Sequence, residues 1–184
     1  MASEPETERL FFALWPDEAV RHAIYKETRH AVRASGGRPV PPENFHATLV
    51  FLGSVDAAAA AAVAVREAAA GIQSGPFSLS LDRLDFWKEP RVVWLGASEI
   101  PNPGRQLAAS LLAALRARGL KPDPKPFMPH VTLARKVSKP GELGTLRPIH
   151  WPIRDFVLVR SITHAKGSEY QPLAAWPLMA QAAG

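Results

Sequence analysis

The sequence has no cysteine among its 184 residues. Disulfides and thiolate metal sites therefore cannot hold the fold, and a cysteine nucleophile is excluded. No stretch approaches the roughly 18 to 20 apolar residues that a membrane helix needs. The N-terminal residues Met-Ala-Ser-Glu-Pro-Glu-Thr-Glu are acidic and polar, without the basic start and apolar run of a signal peptide. We therefore expect a cytoplasmic protein that does not associate with membranes.

The composition is that of a soluble globular protein, with 47% hydrophobic and 21% charged residues. Its length suits one domain, or two small lobes that share a core. The formal net charge is +5, which favours an anionic partner such as nucleic acid or a phosphorylated small molecule. Charge alone does not decide the matter, because an arginine-rich composition can also reflect genomic base content.

Apolar periodicity and the positions of proline and glycine predict a mixture of strands and helices, which is typical of α+β or α/β proteins. The predicted helices cover residues 17–35, 56–71 and 103–119. The predicted strands cover residues 9–14, 45–52, 77–86, 91–97, 130–135, 153–163 and 169–178. Two proline-rich stretches, residues 38–44 and 121–129, are expected to be irregular.

The two halves of the chain repeat one pattern: an apolar strand, an amphipathic helix, a proline-rich loop, an aromatic residue and then His-x-Thr-Leu. Phe12 precedes His46 by 34 positions, and Val93 precedes His130 by 37. This spacing indicates a diverged internal duplication. We expect residues 1–184 to form a single domain made of two similar lobes.

The repeated motif is His46-Ala47-Thr48-Leu49 in the first half and His130-Val131-Thr132-Leu133 in the second. Chance would give roughly 0.2 His-x-Thr triplets in this composition. On a strand, the two-residue spacing places His and Thr on one face and the apolar residues on the other. If the two strands meet across a cleft, two imidazoles and two hydroxyls converge.

Such a site can carry out acid–base chemistry on a phosphate. An imidazole titrates near pH 6.5, so one can be neutral and accept a proton while the other is protonated and donates one. The threonine hydroxyls can donate to phosphate oxygens. A single copy of the motif would most simply be a strand with two outward polar residues. A metal hydrolase usually needs three or more His, Asp or Glu ligands, and neither motif contains a carboxylate. A serine hydrolase is disfavoured because no Gly-x-Ser-x-Gly motif is present.

The paired motifs resemble the signature of the two-histidine phosphoesterase superfamily. Within it, the chain is similar to the RNA 2′,3′-cyclic phosphodiesterases, historically called 2′–5′ RNA ligases. The stretches that carry the resemblance are residues 9–14, 46–53, 129–135 and 170–178. The resemblance implies a bilobal, pseudo-symmetric α+β fold, in which two antiparallel sheets form a V-shaped cleft with the helices outside.

The resemblance also implies a reaction. An RNA end with a 2′,3′-cyclic phosphate would be hydrolysed to a 2′-phosphate without a metal or cofactor, and the reverse 2′–5′ ligation is an associated activity. His46 corresponds to the proton donor to the departing 3′ oxygen, and His130 to the base that activates water. The residues themselves show only a symmetric pair.

Two further residues follow from the resemblance. Phe51, five positions after the first histidine, corresponds to a ring that stacks on the base. Arg135, five positions after the second, corresponds to a phosphate ligand. Strict strand alternation places both on the face opposite the histidines. Either each strand ends or bulges before them, or these two residues are structural.

Other features have simpler interpretations. A basic stripe of His22, Lys26, Arg29 and Arg33 on the first helix is interpreted as a solvated face. Trp87 and Trp94 are expected in the core, and His150 and His164 at the surface.

Two alternative functions remain. The chain could act on small cyclic nucleotides or 2′–5′ oligonucleotides, or it could be a non-catalytic RNA-binding module. The presence of both histidines and both threonines favours catalysis. We expect the protein to be a monomer.

Overall fold

A computed structural model describes residues 7–56, 59–164 and 167–179. Within these ranges the chain forms three helices and ten strands. The helices are α1 (Glu18–Ala34), α2 (Ala59–Ala70) and α3 (Asn102–Ala117). The strands are β1 (Thr7–Leu14), β2 (Arg38–Pro39), β3 (Ala47–Asp56), β4 (Phe77–Leu81), β5 (Arg83–Trp87), β6 (Val92–Gly96), β7 (His130–Arg135), β8 (Ile149–Ile153), β9 (Asp155–His164) and β10 (Gly167–Pro177). None of the helices in this part of the chain is long and apolar enough to cross a membrane.

Helix α1 begins and ends where its sequence predicts. The Asp17 carboxylate accepts a hydrogen bond from the backbone N–H of Val20 at 2.9 Å, which satisfies a free donor of the first turn. Gly36 follows the helix with φ at +61°, a conformation that favours glycine. The buried face consists of Val20, Ile24, Thr28 and Ala31.

The strands form an open antiparallel sheet in the order β10-β9-β1-β3-β7-β6-β5, with β2 paired to β7, and a separate two-stranded sheet of β4 and β8. The first half contributes the pair β1 and β3 on either side of α1 in sequence. The second half contributes β6 and β7 on either side of α3. The α+β class and the pseudo-symmetric arrangement of antiparallel strands are therefore confirmed.

The two halves meet at a short seam. Strands β3 and β7 share a single residue pair, Ala47 with Val131, which are the residues between His and Thr in the two motifs. Helix α1 packs against β7 and β8, and α3 packs against β3, so each helix supports a strand of the other half. The seam therefore fixes the motif strands side by side.

Some predicted boundaries were wrong. The strand predicted over residues 77–86 breaks at Asp82, whose carboxylate accepts hydrogen bonds from the backbone N–H and hydroxyl of Ser98. Strand β4 consequently pairs with β8, whereas β5 pairs with β6. Strand β8 was missed because Pro148 and Pro152 interrupt its apolar pattern.

The irregular loop predicted over residues 38–44 contains the short strand β2 and a 3-10 turn at Pro42–Asn44. His46 lies just before β3, and this strand passes through Gly53 to Asp56 instead of ending at Gly53.

Candidate active site

The two motif histidines are held in the same way. The Nδ1–H of His46 donates to the carbonyl oxygen of Asn44 at 2.7 Å, and that of His130 to the carbonyl of Met128 at 2.8 Å. In each case the acceptor lies two residues earlier, at the end of the proline-rich stretch. Because a carbonyl oxygen can only accept, Nδ1 carries the proton and Nε2 of the neutral ring has a free lone pair.

The structure brings the predicted site residues to one cavity of about 930 Å³. Its lining includes His46, Thr48, Phe51, His130, Thr132 and Arg135. The paired motifs thus form one site across the seam, with one His and one Thr from each half.

A bulge in β3 brings Phe51 to the cavity. Consecutive residues of β1 pair with Thr48 and then with Val50, so Leu49 has no partner in the ladder. Leu49 and Val50 are both buried, and the alternation of faces shifts by one residue between them. Phe51 is therefore on the same side as Thr48, contrary to strict alternation.

Strand β7 has the equivalent bulge. Its pairing with β6 passes from Thr132 to Ala134, leaving Leu133 without a partner. Leu133 and Ala134 are both buried, and Arg135 then points to the cavity side. Each bulge lies three residues after its histidine, so the pseudo-symmetry extends to the backbone irregularity.

Aromatic rings enclose His46. Its imidazole lies nearly parallel to Trp15, with centroids 5.6 Å apart, and contacts Phe11 at 5.0 Å and the edge of Tyr170 at 4.9 Å. Burial lowers the pKa of His46 to about 4, while the hydrogen bond to Asn44 opposes this effect. The positive charge of Arg135 lowers it further. In the unliganded protein His46 is therefore neutral at pH 7.

His130 is enclosed on one side by tryptophans. The ring of Trp87 lies 4.6 Å away and that of Trp94 lies 6.3 Å away, both roughly perpendicular to the imidazole. Burial lowers the pKa of His130, and the charge of Arg135 adds to this effect. Both candidate catalysts therefore start as neutral bases in a cationic environment.

The cavity is positively charged. Among the described residues, those that line it include no aspartate or glutamate. The cationic lining residues are Arg9, Arg38, Lys125, Arg135 and Lys136. Nor does any group of three or more His, Asp or Glu side chains with metal-binding geometry occur in the described parts of the chain. The cavity is suited to a phosphate anion.

Several residues around the cavity were not predicted from the sequence. Trp87 was expected in the core, but it is half-buried and lines the cavity. His164 is exposed, as expected, and also lines the cavity. Trp94 is buried, as expected. Tyr170 was not singled out, although it contacts His46 and its hydroxyl lies 3.5 Å from a guanidinium nitrogen of Arg135. The sequence contains one signal for the aromatic neighbours of His46. Along β1 and one residue beyond it, Arg9, Phe11, Ala13 and Trp15 alternate with the other residues, which places three large side chains on one face.

The remaining predicted surface residues are exposed. His150 lies on the exposed side of β8, and the basic stripe of α1 is exposed and outside the cavity lining. The stripe is therefore a solvated helix face in this structure.

Comparison with known proteins identifies the family. The model of LigT-like phosphoesterases matches residues 14–94 and again residues 95–168, and each segment contains one His-x-Thr-Leu motif. The chain belongs to the LigT-like phosphoesterase family.

The relatives match over nearly the whole chain. The RNA 2′,3′-cyclic phosphodiesterase of Escherichia coli K12 is 35% identical over 96% of this chain and 98% of its own length. The protein of the same name from Archaeoglobus fulgidus is 32% identical over 90% and 97%. A crystal structure of E. coli LigT complexed with NADP+ matches with a TM-score of 0.85 and 33% identity, covering 95% of this chain and 100% of that one.

Proposed function

We propose that this protein hydrolyses the 2′,3′-cyclic phosphate end of RNA to a 2′-phosphomonoester. The observation that carries the proposal is the convergence of two imidazoles, each with an unprotonated Nε2, and two threonines in a cationic cavity. The lining residues that the structure describes include no carboxylate. The names of the relatives support the substrate class. Structures of E. coli LigT complexed with 3′-AMP and with phosphate are consistent with a nucleotide site.

The proposed reaction is a single displacement at phosphorus. Nε2 of His130 takes a proton from water as the water oxygen bonds to phosphorus. The bond from phosphorus to the 3′ oxygen breaks, and Nε2–H of His46 gives its proton to that oxygen. The products are a 2′-phosphate and a 3′-hydroxyl. When a 5′-hydroxyl takes the place of the entering water, the same roles join it to the phosphorus of the cyclic phosphate. The bond to the 3′ oxygen breaks as before, and the product is a 2′–5′ phosphodiester with a free 3′-hydroxyl.

The other residues act on the phosphate and the base. Thr48 and Thr132 donate hydrogen bonds to the non-bridging oxygens, whose charge they stabilise in the transition state. Arg135 binds the phosphate, and Phe51 stacks on the terminal base. Because both histidines are neutral in the free protein, the acid must gain its proton when the phosphodiester anion binds. We also propose that the working form is a cytoplasmic monomer.

An assay of one oligonucleotide ending in a 2′,3′-cyclic phosphate tests this function. The reaction is run with EDTA, and the product is treated with an enzyme that removes only 3′-phosphates. We expect turnover in EDTA and a product that resists this enzyme. His130→Ala is the matched control for contaminating activity. A protein that binds the oligonucleotide but leaves the ring closed would be an RNA-binding module, and one that opens only mononucleotides would support the small-nucleotide alternative.

A further inference from the structure

Two arginines lie side by side at one end of the cavity. Arg38 of β2 and Arg135 of β7 are directly paired across the antiparallel ladder, so their side chains are on the same face. Both line the cavity, and so does Lys136, which follows Arg135 with φ at +57°. This end of the cavity therefore concentrates positive charge on adjacent backbone positions.

The two guanidinium groups extend from β2 and β7 to β10, an edge strand of the large sheet. Nη2 of Arg135 lies 3.5 Å from the Tyr170 hydroxyl, and Nη2 of Arg38 lies 3.3 Å from where a Cβ atom would stand at Gly167. Glycine at position 167 leaves room for this guanidinium. The arginines thus span the cavity wall next to the catalytic seam.

The pair is not neutralised within the described residues. Neither arginine forms a salt bridge there, in contrast to Lys125, which lies 3.2 Å from the Asp123 carboxylate. Like charges directly opposite each other in a ladder destabilise the strands that carry them. A bound anion would relieve this repulsion, which makes the pair better suited to a ligand than to the unliganded fold.

The reacting phosphate needs only part of this charge. In the proposed function, the cyclic phosphate binds between the His-x-Thr motifs with Arg135 as its ligand, and it carries a single negative charge. Arg38 is the neighbouring cation across the ladder, on the short strand β2 that pairs with β7. In RNA, the next phosphate is the phosphodiester on the 5′ side of the terminal nucleoside.

We propose that Arg38 forms a second phosphate subsite, which binds the phosphodiester joining the terminal nucleotide to the one before it. The inference rests on the proposed function and makes it more specific. The substrate is an oligonucleotide, and Arg38 is the residue that distinguishes it from a cyclic mononucleotide. Arg38 acts on binding and takes no part in the proton transfers.

Two substrates test the proposal. One is a nucleoside 2′,3′-cyclic phosphate, and the other is a dinucleotide that ends in the same cyclic phosphate and adds one phosphodiester. In Arg38→Met, we expect kcat/KM for the dinucleotide to fall about tenfold, mainly through KM, as expected for one lost phosphate contact. The value for the mononucleotide should stay within about twofold. The salt dependence of log kcat/KM for the dinucleotide should become shallower by about 0.7.

The controls separate charge from structure. Arg38→Lys keeps the charge and should retain most of the preference for the dinucleotide. Arg29→Met removes an exposed arginine from α1, outside the cavity, and should leave kcat/KM unchanged for both substrates. Equal losses for both substrates, or no loss for either, would overturn the subsite. If the wild-type protein opens neither substrate, the proposed function itself fails, so the two failures are distinguishable.

Discussion

The indole ring of Trp15 lies almost parallel to the imidazole of His46, with an interplanar angle of 11° and centroids 5.6 Å apart. Trp15 immediately follows β1, and His46 immediately precedes β3, so the antiparallel pairing of these strands aligns the two rings. The stacking excludes water from one face of the imidazole. It is one source of the burial that lowers the pKa of His46 to about 4.

Trp15→Ala should raise the pKa of His46 from about 4 towards its ordinary value near 6.5, because water would reach the exposed face of the ring. The pKa can be measured by NMR titration of the imidazole. His130, which packs against other tryptophans, serves as the internal control and should shift little. An unchanged His46 titration in a folded Trp15→Ala protein would show that this ring is not the cause.

The rate should depend on pH in a bell shape, because one histidine must be neutral and the other protonated. The value of kcat/KM reports the free protein, in which both pKa values lie below 6.5. It should rise as pH increases through the lower pKa and fall through the higher, with its optimum below pH 6.5. The two apparent pKa values of this profile belong to the coupled pair of histidines and not to either residue alone.

The profile of kcat should lie at higher pH than that of kcat/KM. A bound phosphodiester anion favours the protonated imidazole and so raises the pKa values in the complex. Steady-state kinetics from about pH 4 to 9 separate the two profiles. A kcat/KM optimum well above neutrality would contradict the lowered pKa values of the free protein.

Removing either imidazole should disable chemistry and spare binding. His46→Ala and His130→Ala should each lower turnover by roughly 10² to 10⁴, the contribution of one acid or base. Oligonucleotide affinity should remain, because the cationic lining is unchanged. Single-turnover kinetics and fluorescence anisotropy measure the two effects. His22→Ala, on the exposed side of α1, is the control. Turnover within a few-fold of wild type in His130→Ala would rule out the two-histidine mechanism.

The sequence predicted the elements that carry the motifs because their signals are local. Strand β7 runs over residues 130–135 as predicted, and the buried face of α1 follows its apolar spacing. What it could not predict depends on partners distant in the chain. Asp82 ends a strand by accepting a hydrogen bond from Ser98, and β8 pairs with β4, which lies about 70 residues earlier in the chain. The bulges after Thr48 and Thr132 are register shifts, in which β3 and β7 each contain one residue more than the neighbouring strand with which they pair.

Phe51 and Arg135 show the same dependence on strand pairing. Their distance from the histidines implied the opposite face of each strand, and only the resemblance suggested that they belong to the site. The residues that bury the two imidazoles, and so lower their pKa values, could not be predicted from the sequence either. Strand pairing brings Trp15, Trp87 and Tyr170 to the histidines. The motifs predicted the chemistry, whereas the environment that tunes it required the structure.

Phe51 should contribute to base binding without contributing to the proton transfers. In Phe51→Leu, we expect KM for a cyclic-phosphate oligonucleotide to rise about tenfold, since one base stack is worth about 1 to 3 kcal/mol. The value of kcat should change little. Phe51→Trp keeps an aromatic face and should retain low KM. If Phe51→Leu has the same KM as the wild type, Phe51 does not stack on the base and has a packing role against its neighbours Phe11 and Arg9.

The final prediction assigns the acid and the base separately. A cyclic phosphate in which sulfur replaces the 3′ bridging oxygen has a leaving group with a thiol pKa of about 8.5, which departs without a proton far more readily than an alcohol.

If His46 protonates the 3′ leaving group, His46→Ala should lose much less activity on the sulfur substrate than on the oxygen substrate. His130→Ala should lose activity on both about equally, because water must still be activated. The measurement is the ratio of single-turnover rates for the two substrates in each variant. Rescue of His130→Ala instead would reverse the two roles while leaving the two-histidine site intact. Equal losses in both variants on both substrates would mean that neither imidazole protonates the 3′ position.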